Sequence, residues 1–233
     1  MAVASRARSG PPVGAVPSTC VVSDNVEELY DYDAVRRLNE PTMFEIRLVQ
    51  PTLVLGSSQS LDVLDRQRTS SMEMRRRRGG GGIVLLQPGD LWVDWWIPHG
   101  DARWSNDVHA SSIRAGQWWR EALSNYVNEE LHVHEGSLEG DPALRVVCFA
   151  GRGPGEIFEG GKKVLGVTQW RVREGTFVST VVHAHSSALV ADLLREPVPG
   201  ISEALAHHTI STLGIEEPES LRRDLAAVSG PWH

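Results

Sequence analysis

Residues 75–86 read RRRRGGGGIVLL. Four arginines run directly into four glycines, and four apolar residues follow. Consecutive glycines let the backbone take positive φ and let a ligand approach its N–H groups closely. Such N–H groups form a concavity that accepts phosphate or carboxylate oxygens. Arginine adds charge and a planar fork of donors for the same oxygens. The apolar run after the glycines predicts a strand. The loop is therefore no Walker loop, which needs GKS or GKT, and no dinucleotide fingerprint, which needs a helix after the glycines. Two readings remain: a local anion cradle, or a solvated hairpin with a charged rim.

The body that carries this loop is acidic. The chain has 233 residues, with 23 Lys+Arg against 30 Asp+Glu and a net charge of −7. A general nucleic-acid binder carries a basic excess to neutralise phosphates, so that class is excluded. The arginine run is a local feature, suited to a small anion. At 41% hydrophobic the chain can bury an ordinary core. Its two cysteines, Cys20 and Cys148, make no disulfide framework, which predicts a reducing, cytoplasmic setting. No apolar run approaches the roughly 20 residues that span a bilayer, so no membrane association is expected. Residues 1–24 hold three prolines and no apolar signal region, and read as a disordered segment. Residues 25–233 read as one domain.

Hydrophobic periodicity outlines that domain. Apolar positions 26, 29, 30, 34, 35 and 38 predict a helix over 25–38, stopped by Pro41. Strands are expected at 43–49, 52–56, 83–87 and 91–97, with a turn at Pro88-Gly89-Asp90. The longest helical pattern covers 107–130. Further strands are expected at 131–136, 143–150 and 175–185. A hairpin is expected over 156–172, turning at Gly160-Gly161, and short helices at the C-terminal end. The strands cluster instead of alternating with helices. That order favours an α+β fold, a sheet packed by helices, over a doubly wound parallel sheet.

A second glycine-punctuated segment, GRGPGEIFEGGKKVLGVTQWR at 151–171, puts a lysine on a strand beside a glycine turn. Alone, such a lysine is a common surface charge. Together, however, the segments resemble the lipoate–protein ligase and octanoyltransferase family, relatives of the biotin–protein ligases. The family's "RRxSGGGxV" loop is matched by Arg76-Arg77-Arg78-Gly79-Gly80-Gly81-Gly82-Ile83-Val84, with glycine where serine is usual. Its upstream "GxxQ" is matched by Gly56-Ser57-Ser58-Gln59, and its downstream "GxKxxGxxQ" by Gly161, Lys163, Gly166 and Gln169.

The resemblance implies a curved mixed β-sheet packed by helices, with the glycine loop and Lys163 flanking an acyl tunnel. It implies a ligase that uses ATP and Mg²⁺ to convert lipoate to lipoyl-adenylate. The acyl group then passes to a lysine of a lipoyl domain or a glycine-cleavage H-type protein. By resemblance, Lys163 would hold the carboxylate and phosphate oxygens, with Arg76, Arg77 and the N–H groups of Gly80, Gly81 and Gly82 around the same intermediate. Gln59, Gly166 and Gln169 would line the pocket. The family's Asn-Asp pair is replaced by Gly155-Glu156, leaving Glu156 as the carboxylate for polar contacts. No separate accessory domain of the longer ligases is read in the chain.

Cys148 opens the segment CFAGRGPGEIFEGGKK. In the family's cysteine octanoyltransferases a "CF" begins the same segment. There the cysteine takes octanoyl from acyl carrier protein as a thioester, without ATP. A thiolate is required, and nearby positive charge favours it. The plain alternative is a buried core cysteine. The sequence ranks ATP-dependent ligation first and thiol-dependent transfer second. A non-catalytic acyl-binding protein is third, and biotin ligation is weaker still. His132/His134 and His183/His185 share strand faces, but no carboxylate or cysteine cluster joins them, so no metal site is expected. Tryptophans 92, 95, 96, 118 and 119 are expected to pack the core or wall an apolar tunnel.

Overall fold

The computed structural model describes residues 26–127, 130–185, 187–208 and 218–230. The first 25 residues, where the disordered segment and Cys20 were read, lie outside them. Among the described residues nine strands form two sheets. The larger is built from β1 (Thr42–Ile46), β5 (Leu91–Pro98), β6 (Leu131–Val133), β7 (Ile157–Glu159), β8 (Lys162–Val172) and β9 (Gly175–Val182). Its order is β1-β5-β9-β8-β7-β6, antiparallel throughout. The smaller is built from β2 (Thr52–Leu55), β3 (Glu73–Arg76) and β4 (Val84–Leu86), in the order β3-β2-β4. Here β2 runs parallel to β3 and antiparallel to β4, so the mixed pairing expected of one sheet is confined to the small one.

The residues dictate three layers. In β5, LWVDWWIP alternates two apolar sets, and all eight residues are buried. Val93, Trp95 and Ile97 face α2 (Val108–Leu123) and α4 (Pro218–Ser229), where Ala115, Trp119, Leu123, Leu221 and Leu225 complete one core. Trp92 and Trp96 face the small sheet, packing with Leu53, Val84, Phe149 and Phe177 in a second core. Helix α2 starts where Asp107 accepts the N–H groups of His109 and Ala110. Trp119 Nε1 ties it to Thr180 Oγ1 on β9 at 2.8 Å. Among the described residues no helix is long and apolar enough to cross a membrane.

Several expectations change. Only Tyr32–Val35 (α1) of the helix expected over 25–38 is helical. Residues 27–29 instead pair alongside β3, with Leu29 N–H donating to Arg76 O at 2.8 Å. The long helix ends at Leu123, and the start of α3 (Ile201–His208) and of α4 agrees with the C-terminal pattern. The expected strand over 143–150 is two 3-10 turns, Pro142–Val146 and Cys148–Ala150. Asp141 caps the first turn by accepting Ala143 N–H, and Pro142 presets its opening φ, which overrides the β-branched run. The hairpin turn at Gly160-Gly161 stands, with both glycines at positive φ.

Candidate active site

The small sheet delivers the arginine run to the gap between the sheets, and all four guanidiniums are engaged within the protein. Arg75 pairs with Glu27 and Glu73. Arg78 pairs with Glu28 and Asp33 and stacks on Tyr32 and Trp170. Arg76 donates to Gly56 O at 3.0 Å and Gln59 O at 2.7 Å. Arg77 is buried and donates to Val54 O (3.2 Å), Gly80 O (3.1 and 3.0 Å) and Gly82 O (2.6 Å). The sequence reading aims Arg76 and Arg77 at a bound anion; the structure aims them at backbone carbonyls. The bent glycine loop turns its carbonyls inward, and buried carbonyls need donors.

The loop presses on the segment that carries Cys148. Gly82 is required there, because a Cβ on it would stand 2.5 Å from Val147 C and 2.6 Å from Cys148 N. Gly81 has φ of 93°, and a Cβ on it would lie 3.1 Å from Arg77 Nη2 and 4.0 Å from Cys148 Sγ. By contrast, nothing lies within 4 Å of a Cβ on Gly80. Ile83 and Val147 form a parallel bridge, with Cys148 N–H donating to Ile83 O at 2.9 Å. Gln59 braces the same junction. Its Oε1 accepts Gly56 N–H, and its Nε2 donates to Val146 O, both at 2.9 Å.

Lys163 is 1% exposed and lies under this turn. Its Nζ is 2.7 Å from Glu156 Oε2, donates to Cys148 O at 3.3 Å, and faces the Phe149 ring at 4.9 Å. Glu156 also accepts Gly153 N–H at 2.6 Å. Burial pushes the Glu156 carboxyl above the usual carboxylate range, against the pull of the Lys163 ammonium. Phe149 rests on Gly166, where a Cβ would come within 2.8 Å of the ring. Gln169 does not join the group: its amide donates to Val108 O and Ser112 Oγ, both at 2.7 Å, under the first turn of α2.

Cys148 is half-buried and lines a cleft between the sheets, together with Arg77 and Thr168. Val54, Val84, Leu86, Trp92 and Val181 form its apolar walls. Trp92, Val181 and Gly166 are in register across the large sheet, as are Asp94, Ser179 and Thr168. Asp94 is fully buried behind the cleft. It accepts from Tyr30 OH, Trp92 Nε1 and Ser179 Oγ at 2.7 Å each, and from Thr180 N–H at 3.1 Å. Desolvation pushes its carboxyl up to about 7, opposed by those donors. The signal was present in the sequence as a lone acid between Trp92 and Trp96 on one strand face. The tryptophans divide as well: Trp95, Trp96 and Trp119 are core, and Trp92 is cleft wall.

The His-X-His pairs do not act as pairs. His183 is buried against Asp90 (3.0 Å) and Phe149, whereas His185 bonds Pro88 O. His132 is exposed, and His134 bonds Ser137 O. Among the described residues no group of three or more His, Cys, Asp or Glu could hold a metal ion.

No protein-family model matches this sequence, and no curated protein is similar to it. Solved structures do match the fold. A lipoate-protein ligase A bound with ATP superposes with a TM-score of 0.63 at 17% identity, covering 84% of this chain and 75% of its own. A bi-partite lipoate protein ligase from Thermoplasma acidophilum, studied with its E2 lipoyl domain, gives 0.65 at 14%, covering 85% and 76%. A protein from T. acidophilum with bound lipoic acid, described as a candidate lipoate protein ligase, gives 0.62 at 15%, covering 84% and 77%. The α+β chain, with its large antiparallel sheet and a glycine loop facing it across a cleft, therefore has the fold of the lipoate–protein ligases.

Proposed function

We propose that this protein transfers a medium-chain acyl group to a lysine of a lipoyl domain or an H-type protein, with Cys148 carrying the acyl group. One observation carries this reading: Cys148 lines the apolar cleft against the glycine loop, whereas Lys163 is buried beneath it and paired with Glu156. The Cys148 thiolate attacks the carbonyl carbon of a donor thioester, such as octanoyl–acyl carrier protein. The new C–S bond forms, the donor C–S bond breaks, and the donor leaves as a thiolate that takes up the proton Cys148 gave to solvent on ionising. The neutral ε-amine of the acceptor lysine then attacks the acyl-cysteine. An amide forms, Cys148 leaves as thiolate, and the amine proton is released. The cleft walls hold the chain, and Lys163, through the Cys148 carbonyl, holds the turn that aims the sulfur.

ATP-dependent formation of lipoyl-adenylate is the second reading, favoured by the ATP bound to a structural neighbour. The cationic side chains beside the glycine loop are already engaged, which leaves the loop N–H groups as the donors a phosphate would meet. Arg75, Arg78 and Lys163 face carboxylates, and Arg76 and Arg77 face carbonyls.

Intact mass of a purified apo-lipoyl domain tests both. We expect an octanoyl gain from octanoyl–acyl carrier protein without ATP, lost in Cys148→Ser. A lipoyl gain only with lipoate and MgATP, retained in Cys148→Ser, would replace this reading with the ligase.

A further inference from the structure

We propose that Arg77 serves the reaction through the glycine loop: it holds Gly80 O and so turns Gly81 N–H outward, beside the N–H groups of Gly80 and Gly82, as the donors that hold the oxyanion formed at Cys148. This rests on the Cys148 reading and deepens it. In a trans peptide the C=O and the following N–H point in opposite directions. Gly79 O accepts Ser57 N–H at 3.0 Å, so Gly80 N–H points away from Ser57. Gly80 O is held by two N–H groups of Arg77 and by Thr168 Oγ1 at 3.0 Å, so Gly81 N–H points away from Arg77. Gly81 O faces Gly56, 2.0 Å from where a Cβ there would stand, so Gly82 N–H points away from Gly56. Among the described residues, none of these three N–H groups donates a hydrogen bond.

Three adjacent free donors on a glycine loop are an arrangement that stabilises developing negative charge. The reacting sulfur is beside them, 4.0 Å from the Cβ position of Gly81, with the Cys148 backbone pressed on Gly82. Arg77 adds a fixed charge: it is 4% exposed, and among the described residues no carboxylate lies within 4.0 Å of it. It is therefore a positioning residue. Lysine would keep the charge but could not span the carbonyls of residues 54, 80 and 82.

The test separates the oxyanion from ordinary chain binding. Octanal adds the Cys148 thiol across its carbonyl: the S–C bond forms, and the thiol proton passes to the oxygen, which occupies the oxyanion position. Octanamide offers the same chain with no such bond. In the wild type we expect octanal to form an adduct on Cys148 that Cys148→Ser lacks. Arg77→Lys should weaken octanal binding about tenfold or more and change octanamide binding less than about twofold, since charge-assisted hydrogen bonds organise the loop. Thr168→Val, which removes the other donor to Gly80 O, should weaken octanal about threefold, and it decides the matter if Arg77→Lys does not fold. Equal losses for both ligands, or no loss for octanal, would overturn the role of Arg77. Absence of any adduct in the wild type would overturn the Cys148 reading and this inference with it, before a loop variant is made.

Discussion

Glu156→Gln isolates the charge of the Lys163–Glu156 pair while keeping an acceptor for Gly153 N–H. Both side chains are buried, at 1% and 5% exposure, and their atoms are 2.7 Å apart. The substitution leaves the ammonium with a neutral amide oxygen in place of the carboxylate, one carbonyl at 3.3 Å and the face of Phe149. Removing one partner of a buried pair costs about 3–5 kcal/mol, because the remaining charge is stranded. For a chain of this length each kcal/mol corresponds to about 2–4 °C in Tm. Lys163→Met/Glu156→Gln removes both charges and should recover much of the loss, since a buried pair is worth little against well-packed neutral side chains. Urea unfolding of the wild type, Glu156→Gln, Lys163→Met and the double variant closes the cycle. A single-variant cost below about 1 kcal/mol, or a double variant no better than Glu156→Gln, would refute the reasoning. Either would mean that Lys163 swings out to water when released, so that the pair is no buried anchor of the Cys148 turn.

Two further outcomes follow from the geometry. Gly82→Ala should abolish acyl transfer and destabilise the fold by about 1–3 kcal/mol, because its Cβ meets backbone that cannot move aside, whereas Gly80→Ala should fold normally. Thermal melts and transfer assays of the two variants check this, and equal behaviour would contradict the packing of the loop on residues 145–148. Asp94 has a folded carboxyl raised to about 7, so its ionisation costs stability as pH rises. The stability of the wild type relative to Asp94→Asn should therefore be greatest below about pH 4 and fall through pH 7, by at most about 4 kcal/mol. Denaturant midpoints across that range measure it; a flat or rising difference would show that the four donors keep Asp94 ionised throughout.

Local chemistry made much of this protein legible. Alternation in LWVDWWIP names a strand buried on both faces, and Gly160-Gly161 names the hairpin that puts Lys163 on β8. Asp107 names the start of α2. The ordered glycine motifs around Gln59, the arginine-glycine loop and Lys163 carry the fold resemblance, because a positive φ or a close approach depends on glycine at Gly56, Gly81, Gly82 and Gly166. The partners of the charges depend on segments distant in sequence. Arg78 meets Glu28 fifty residues away, and Arg77 meets the carbonyl of Val54. A sequence shows that a cation is present but not whether carbonyls, carboxylates or a ligand will surround it. For the same reason the turn at Cys148 and the burial of Lys163 were decided only when Ile83 bridged Val147 and Glu156 closed on Lys163. Desolvation and pairing are properties of the assembled neighbourhood, and residue order alone does not specify them.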